Sequence, residues 1–94
     1  WRVVDGKSGW ERADALQHWE RFVAAVLQHF GGRMPIVCTL NEPMVYVYAG
    51  YLDGVFPPLE RRASPADVVP VIEQLLRAHA RAYHLIKEDA ARRG

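Results

Sequence analysis

One short apolar run set between two amphipathic stripes constrains the fold of this chain more than any other feature. Met34 to Leu40 is apolar on both sides of a strand's alternation, the pattern of a parallel strand buried on both faces. Before it, Leu16, Trp19, Phe22, Val23, Val26, Leu27 and Phe30 fall within an arc of about 140° at 100° per residue. That is one face of a helix from Asp14 to Phe30. Asp14 with Gln17 three residues later predicts a capping box, and Gly31-Gly32 predicts the stop. After the run, Ser64-Pro65 reads as an N-cap followed by proline at the first helical position, and Asp67 adds negative charge to the first turn. Val68, Ile72, Leu75, Leu76, Ala82, Tyr83 and Ile86 form the stripe of this second helix, which runs to Ala91, with Pro70 placed to distort its start. Helix, strand, helix is the repeat of a parallel α/β fold. No internal repeat or low-complexity linker divides the chain, so one domain accounts for it.

Thr39-Leu40-Asn41-Glu42-Pro43 lies where that strand runs into a loop. In α/β barrels catalysis is built at this end of the strands, because the loops there converge on one pocket. Asn41 beside Glu42 sets a neutral hydrogen-bonding amide next to a group that gives or takes a proton. Pro43 disfavours the α region for Glu42 and supplies no N–H, so an extended Glu42 is expected. Asn-Glu-Pro arises by chance in roughly one chain in a hundred of this length. Alone, it reads equally as a strand-ending Glu that solvates a loop.

Other classes find little support. Twelve basic residues against eleven acidic ones give a net charge of +1, with no basic stripe carrying interleaved aromatics, so nucleic-acid binding is not indicated. The apolar stretches are too short and interrupted to span a bilayer. Cys38 is the single cysteine, which excludes an internal disulfide and fits a reducing cytoplasm. On an apolar strand it is expected to be buried. His18 and His29 fall on the polar face of the first helix. His79 falls within the second stripe and is expected to be a core histidine bonded to a backbone carbonyl. His79 and His84 are five apart, the wrong spacing for an i, i+4 metal pair, and no metal is assigned. Tyr46, Tyr48, Tyr51 and Phe56 follow the Asn-Glu-Pro motif. Aromatic faces stack on sugar C–H surfaces, yet packing of the loop is the expected role for at least three of the four.

Thr39-Leu40-Asn41-Glu42-Pro43 resembles the acid/base motif of glycoside hydrolase family 1, the β-glucosidase-like retaining glycosidases. Gly9-Trp10 looks like the Gly-Trp that precedes the third barrel helix of that family. Gly50-Tyr51-Leu52-Asp53-Gly54 with Phe56-Pro57-Pro58 resembles its Gly-Tyr-x-x-Gly…Pro stretch, and Ala78-His79-Ala80-Arg81-Ala82 resembles part of its fourth helix. Four landmarks in order are far more specific than one. Met44 stands where many members carry Trp, and Leu59 where Gly commonly follows Pro, which bears on substrate preference. The resemblance implies a segment of a (β/α)8 TIM barrel: the loop after strand 3, helix 3, strand 4 and helix 4. Residues 1–94 are then a partial glycosidase domain, incomplete at both ends, with the second carboxylate motif and a His-containing sugar-binding pair lying elsewhere.

For mechanism, the resemblance implies retaining hydrolysis of β-O-glycosidic bonds. Such enzymes hold two carboxyl groups about 5–5.5 Å apart, one acid then base, the other nucleophile. Glu42 matches the acid/base, and Asn41 matches the residue that holds the sugar 2-hydroxyl. Met44 and Val45, from their position beside the motif, are candidates for the wall of the leaving-group subsite. The implied partner is a small β-glycoside or oligosaccharide, and no cofactor is required. Two alternatives stand beside this reading: a 6-phospho-β-glycosidase, against which Pro43 counts because that subgroup often carries Asn-Glu-Ile, and a non-catalytic α/β carbohydrate-binding relative.

Overall fold

The structure, a computed structural model, describes residues 6–7 and 9–94. The composition of Asp5-Gly6-Lys7-Ser8-Gly9 predicts a turn, and its Asp5 and Ser8, like the start of the loop assigned to the third strand's exit, lie outside the described residues. Helix α1 spans Ala15–Phe30, α2 Pro43–Val47 and α3 Val69–Arg93. Short 3-10 turns at Gly9–Glu11, Gly31–Arg33 and Pro65–Val68, and a π-helical turn at Tyr48–Leu52, join them.

The two long helices form where the stripes predict, and they pack on each other. The inward residues of α3 and its preceding turn are Val68, Val71, Leu75, Ala78, Ala82 and Asp89. Their spacing alternates three and four up to Ala82, then resumes seven on, as a coiled-coil-like seam requires. The expected stripe stood partly one position aside. Leu76 and Tyr83 face outward, 64% and 49% exposed, because small Ala78 and Ala82 let α1 approach closely. Val23, Leu27 and Ala82 form one core with Trp19, Met34, Leu85 and Ile86 against it. The end of α1 is tied by Arg93, which donates to the Leu27 carbonyl at 2.8 Å and to the buried Asp89 at 2.7 Å.

A second core joins α2 and the π-helical turn to the start of α3. Val47, Tyr51, Val68, Val71 and Leu75 are buried there, with Trp10, Leu40 and Tyr46 packed against them. Tyr51 is fully buried, consistent with a structural landmark. The Arg62 guanidinium lies 4.9 Å from its ring centroid and bridges Glu11 and Glu60, so the loop after α2 is pinned to the first turn. Glycine is needed at position 50: a Cβ there would lie 3.0 Å from the Pro57 carbonyl oxygen and 3.4 Å from the Pro58 ring.

Several expectations are corrected. Among the described residues no strand forms: Met34–Leu40 is extended or bent but unpaired, and Ile36 is 89% exposed. A strand is stabilised by ladders on its edges, and no neighbour offers one here. Cys38 is consequently exposed rather than buried. The helix–strand–helix alternation is therefore present only in its helices. The Asp14 capping box is also absent, because Arg12 at 2.7 Å and His18 at 3.1 Å take that carboxylate, and Arg12 foremost holds its pKa below the usual value. At α3 the capping box is instead made by Ser64 and Asp67. Pro70 sits in the first turn of α3, where proline is tolerated.

Candidate functional site

The extended segment 34–38 delivers the chain to Thr39, beyond which Leu40 turns inward onto the second core. Pro43 then opens α2 at its first position, with Val47 fully buried as the anchor of that helix. Between these two anchors the chain must reverse, and Glu42 makes the reversal in the left-handed region, φ 44° and ψ 57°. The extended Glu42 expected from Pro43 is therefore not found. The proline clash acts on right-handed helical geometry, and the left-handed well is the compact alternative left open at a tight turn. An L-residue pays about 1–2 kcal/mol for that geometry, and such outliers gather at functional sites.

Glu42 and Asn41 are both exposed at the tip of this turn, side by side in the chain. The Glu42 carbonyl accepts from the Tyr46 N–H at 3.2 Å, which starts α2, while its side chain takes part in no hydrogen bond or ion pair within the described residues. A free carboxylate on a strained turn, with an amide next to it, can exchange a proton with a group brought to it. Met44, 40% exposed, borders a groove of about 380 Å³ between α2 and α3, with Leu40, Ile72, Leu76 and His79. Val45 is exposed too, but neither it nor Asn41 and Glu42 line that groove. Asn41, Glu42 and Val45 are thus exposed outside the groove, and of the nominated residues Met44 alone lines it.

His79 is not the core histidine that the stripe implied. It is exposed, and its Nδ1 lies 2.7 Å from the Thr39 hydroxyl, across from the motif. The signal that could have found this is the three-four seam through Ala78 and Ala82, which puts His79 one step, about 100°, off the buried face. Of the loop aromatics, Tyr46 is half-buried and packs edge-on to Tyr51 at 5.9 Å, and burial raises both phenols above their usual pKa. Tyr48 and Phe56 remain exposed. Among the described residues no group of three or more His, Cys, Asp or Glu gathers as a metal site. No helix there is long and apolar enough to cross a membrane.

Comparison with known proteins extends these observations. The profile of glycosyl hydrolase family 1 matches residues 2–93. Human lactase/phlorizin hydrolase is 33% identical over 88 residues, covering 93% of this chain and 4% of that protein. Human Klotho is 32% identical over 84 residues, covering 89% of this chain and 8% of that protein. Beta-glucosidase A of Thermotoga maritima is 34% identical over 82 residues, covering 87% of this chain and 18% of that protein. The chain therefore spans less than a fifth of the length of each of these relatives. Matched along almost its whole length by the family profile, the chain belongs to glycosyl hydrolase family 1.

Proposed function

We propose that the whole protein hydrolyses β-O-glycosidic bonds with retention, and that Glu42 is its general acid and base. The observation that carries this is the exposed Glu42 carboxylate, held on a left-handed turn directly after Asn41 and before Pro43. In the first step Glu42 protonates the oxygen of the departing group while the nucleophilic carboxylate, supplied from outside these 94 residues, bonds to the anomeric carbon. In the second Glu42 takes a proton from the water that releases the sugar. Asn41 bonds the 2-hydroxyl, a contact that tightens as positive charge develops at the anomeric centre. Met44 and Val45 flank the departing group. The likeness to a lactase/phlorizin hydrolase and to a beta-glucosidase supports unphosphorylated β-glucosides as the substrate class.

The test is Glu42→Gln in the whole protein. Its kcat/KM on an alkyl β-glucoside should fall about 10²–10⁴-fold, the usual worth of proton donation. A dinitrophenyl β-glucoside, whose leaving group needs no proton, should still glycosylate the enzyme, and azide should speed turnover and yield a β-glycosyl azide. Unchanged hydrolysis of the alkyl glucoside would remove Glu42 from the mechanism. The second reading is a non-catalytic α/β carbohydrate-binding relative. Absence of any turnover by the unaltered whole protein would select it.

A further inference from the structure

Thr39 Oγ1 and His79 Nδ1 lie 2.7 Å apart, although 40 residues separate them in the chain. Among the described residues this is the one hydrogen bond joining a side chain of residues 39–42 to α3. Only Leu40 and Asn41 stand between Thr39 and Glu42. Downstream, Glu42 is anchored by apolar contacts, through Pro43 and the fully buried Val47 of α2. Upstream, Leu40 is only half-buried, so a directional polar tie is what fixes how the segment is turned as it enters the reversal. The left-handed Glu42 persists only while its surroundings hold both ends of the turn.

We propose that His79 is a positioning residue for Glu42: through the Thr39 hydroxyl it fixes the backbone from which the acid/base carboxylate is aimed. The assignment rests on the acid/base reading of Glu42 given above. His79 does not touch the carboxylate, so its effect passes through Thr39. Loss of the tie lets the segment drift, and a misplacement of about 1 Å costs on the order of 10²-fold in a step that depends on aim. Proton donation to a poor leaving group is such a step. Departure of a good leaving group is not.

The experiment uses the whole protein with Thr39→Val, His79→Leu, the double variant, and the conservative Thr39→Ser and His79→Asn. The last two keep a hydroxyl and a polar atom near the Nδ1 position. On an alkyl β-glucoside, Thr39→Val and His79→Leu should each lower kcat/KM about tenfold, and the double variant should be no worse than either, since both remove one interaction. On a dinitrophenyl β-glucoside kcat/KM should stay within about twofold of the unaltered protein, and Thr39→Ser and His79→Asn should recover most of the loss. Equal losses on both glucosides, multiplying losses in the double variant, or no loss at all would overturn the assignment. Should His79→Leu fail to fold, Thr39→Val, which keeps the shape of threonine, carries the test. Glu42→Gln run alongside separates the two ideas. If it is harmless, the acid/base reading falls and the positioning role with it; if it cripples hydrolysis while Thr39→Val and His79→Leu do not, only the positioning role falls.

Discussion

The Trp19 indole Nε1–H donates to the backbone carbonyl of Ala78 at 2.8 Å, so the second turn of α1 is bonded to the middle of α3. This contact explains two of the three alanines of Ala78-His79-Ala80-Arg81-Ala82. Ala78 and Ala82 are buried against α1, whereas Arg81 turns outward to pair with Glu20 at 2.7 Å. Trp10 stacks edge-on to Trp19 at 5.7 Å and carries its carbonyl to Gln74 at 3.1 Å, which brings the first turn into the same junction.

Trp19→Phe in the whole protein should therefore cost about 1–1.5 kcal/mol, the net worth of one hydrogen bond with most ring packing retained. Ala78→Leu should cost more, about 1–3 kcal/mol, because the added carbons must enter the space the indole fills. Denaturant unfolding of the two variants checks the order. A milder Ala78→Leu would mean that α1 and α3 are not in close contact.

The helices were readable from local pattern, and their partners were not. The amphipathic stripe places α1 to within a residue, and Ser64-Pro65 marks where the second helical segment begins. The frame of α3 was misjudged because bulk suggested Leu76 and Tyr83, while contact selected Ala78 and Val71. Local sequence carries hydrophobicity but not the distance of the facing helix. Ile36 and Cys38 fail for a related reason: strand pairing depends on neighbouring strands, and a seven-residue apolar run does not contain them. At the site, Asn41-Glu42-Pro43 was evident as a motif, yet the left-handed Glu42 follows from the two anchors at Leu40 and Val47.

That left-handed turn gives a stability test independent of activity. Glycine occupies the region freely, whereas alanine meets the same steric penalty as glutamate. Glu42→Gly should be about 0.5–1 kcal/mol more stable than Glu42→Ala in the whole protein, after allowing for the extra unfolded-state entropy of glycine. Equal stability of the two variants would indicate that residue 42 leaves the left-handed region there.

Asn41→Ala should reduce the catalytic rate more than it weakens ground-state binding, because its bond to the sugar strengthens in the transition state. The corresponding 2-deoxy glycoside lacks the hydroxyl and should be much less sensitive to the change. Equal sensitivity of the two glycosides would place the 2-hydroxyl elsewhere.

Gly50→Ala tests the close approach of the loop to the π-helical turn. The Cβ would sit 3.0 Å from the Pro57 carbonyl oxygen, a backbone atom that moves only with the loop. Overpacking of this kind costs about 1–3 kcal/mol. A drop of that size in unfolding free energy is expected, and an unchanged value would mean that the loop yields without penalty.

The final prediction concerns the 94-residue polypeptide made on its own. Its radius of gyration is 14.9 Å, where a compact domain of this length would have about 12 Å. Ile36, Val55, Leu59 and Phe22 are each at least 60% exposed, and the extended segment 34–38 has no ladder partner on either edge among the described residues. Burying those apolar side chains without neighbours would also bury unpaired backbone groups, at about 1–3 kcal/mol each, so the chain has no inexpensive way to close on itself. Exposed apolar surface beside an open edge favours association instead. The mechanism proposed for Glu42 also needs a second carboxylate that these residues do not provide. The isolated polypeptide should therefore be molten or aggregated and inactive on aryl β-glucosides. A monomer by sedimentation that unfolds cooperatively on heating, or any β-glucosidase turnover lost on Glu42→Gln, would refute this.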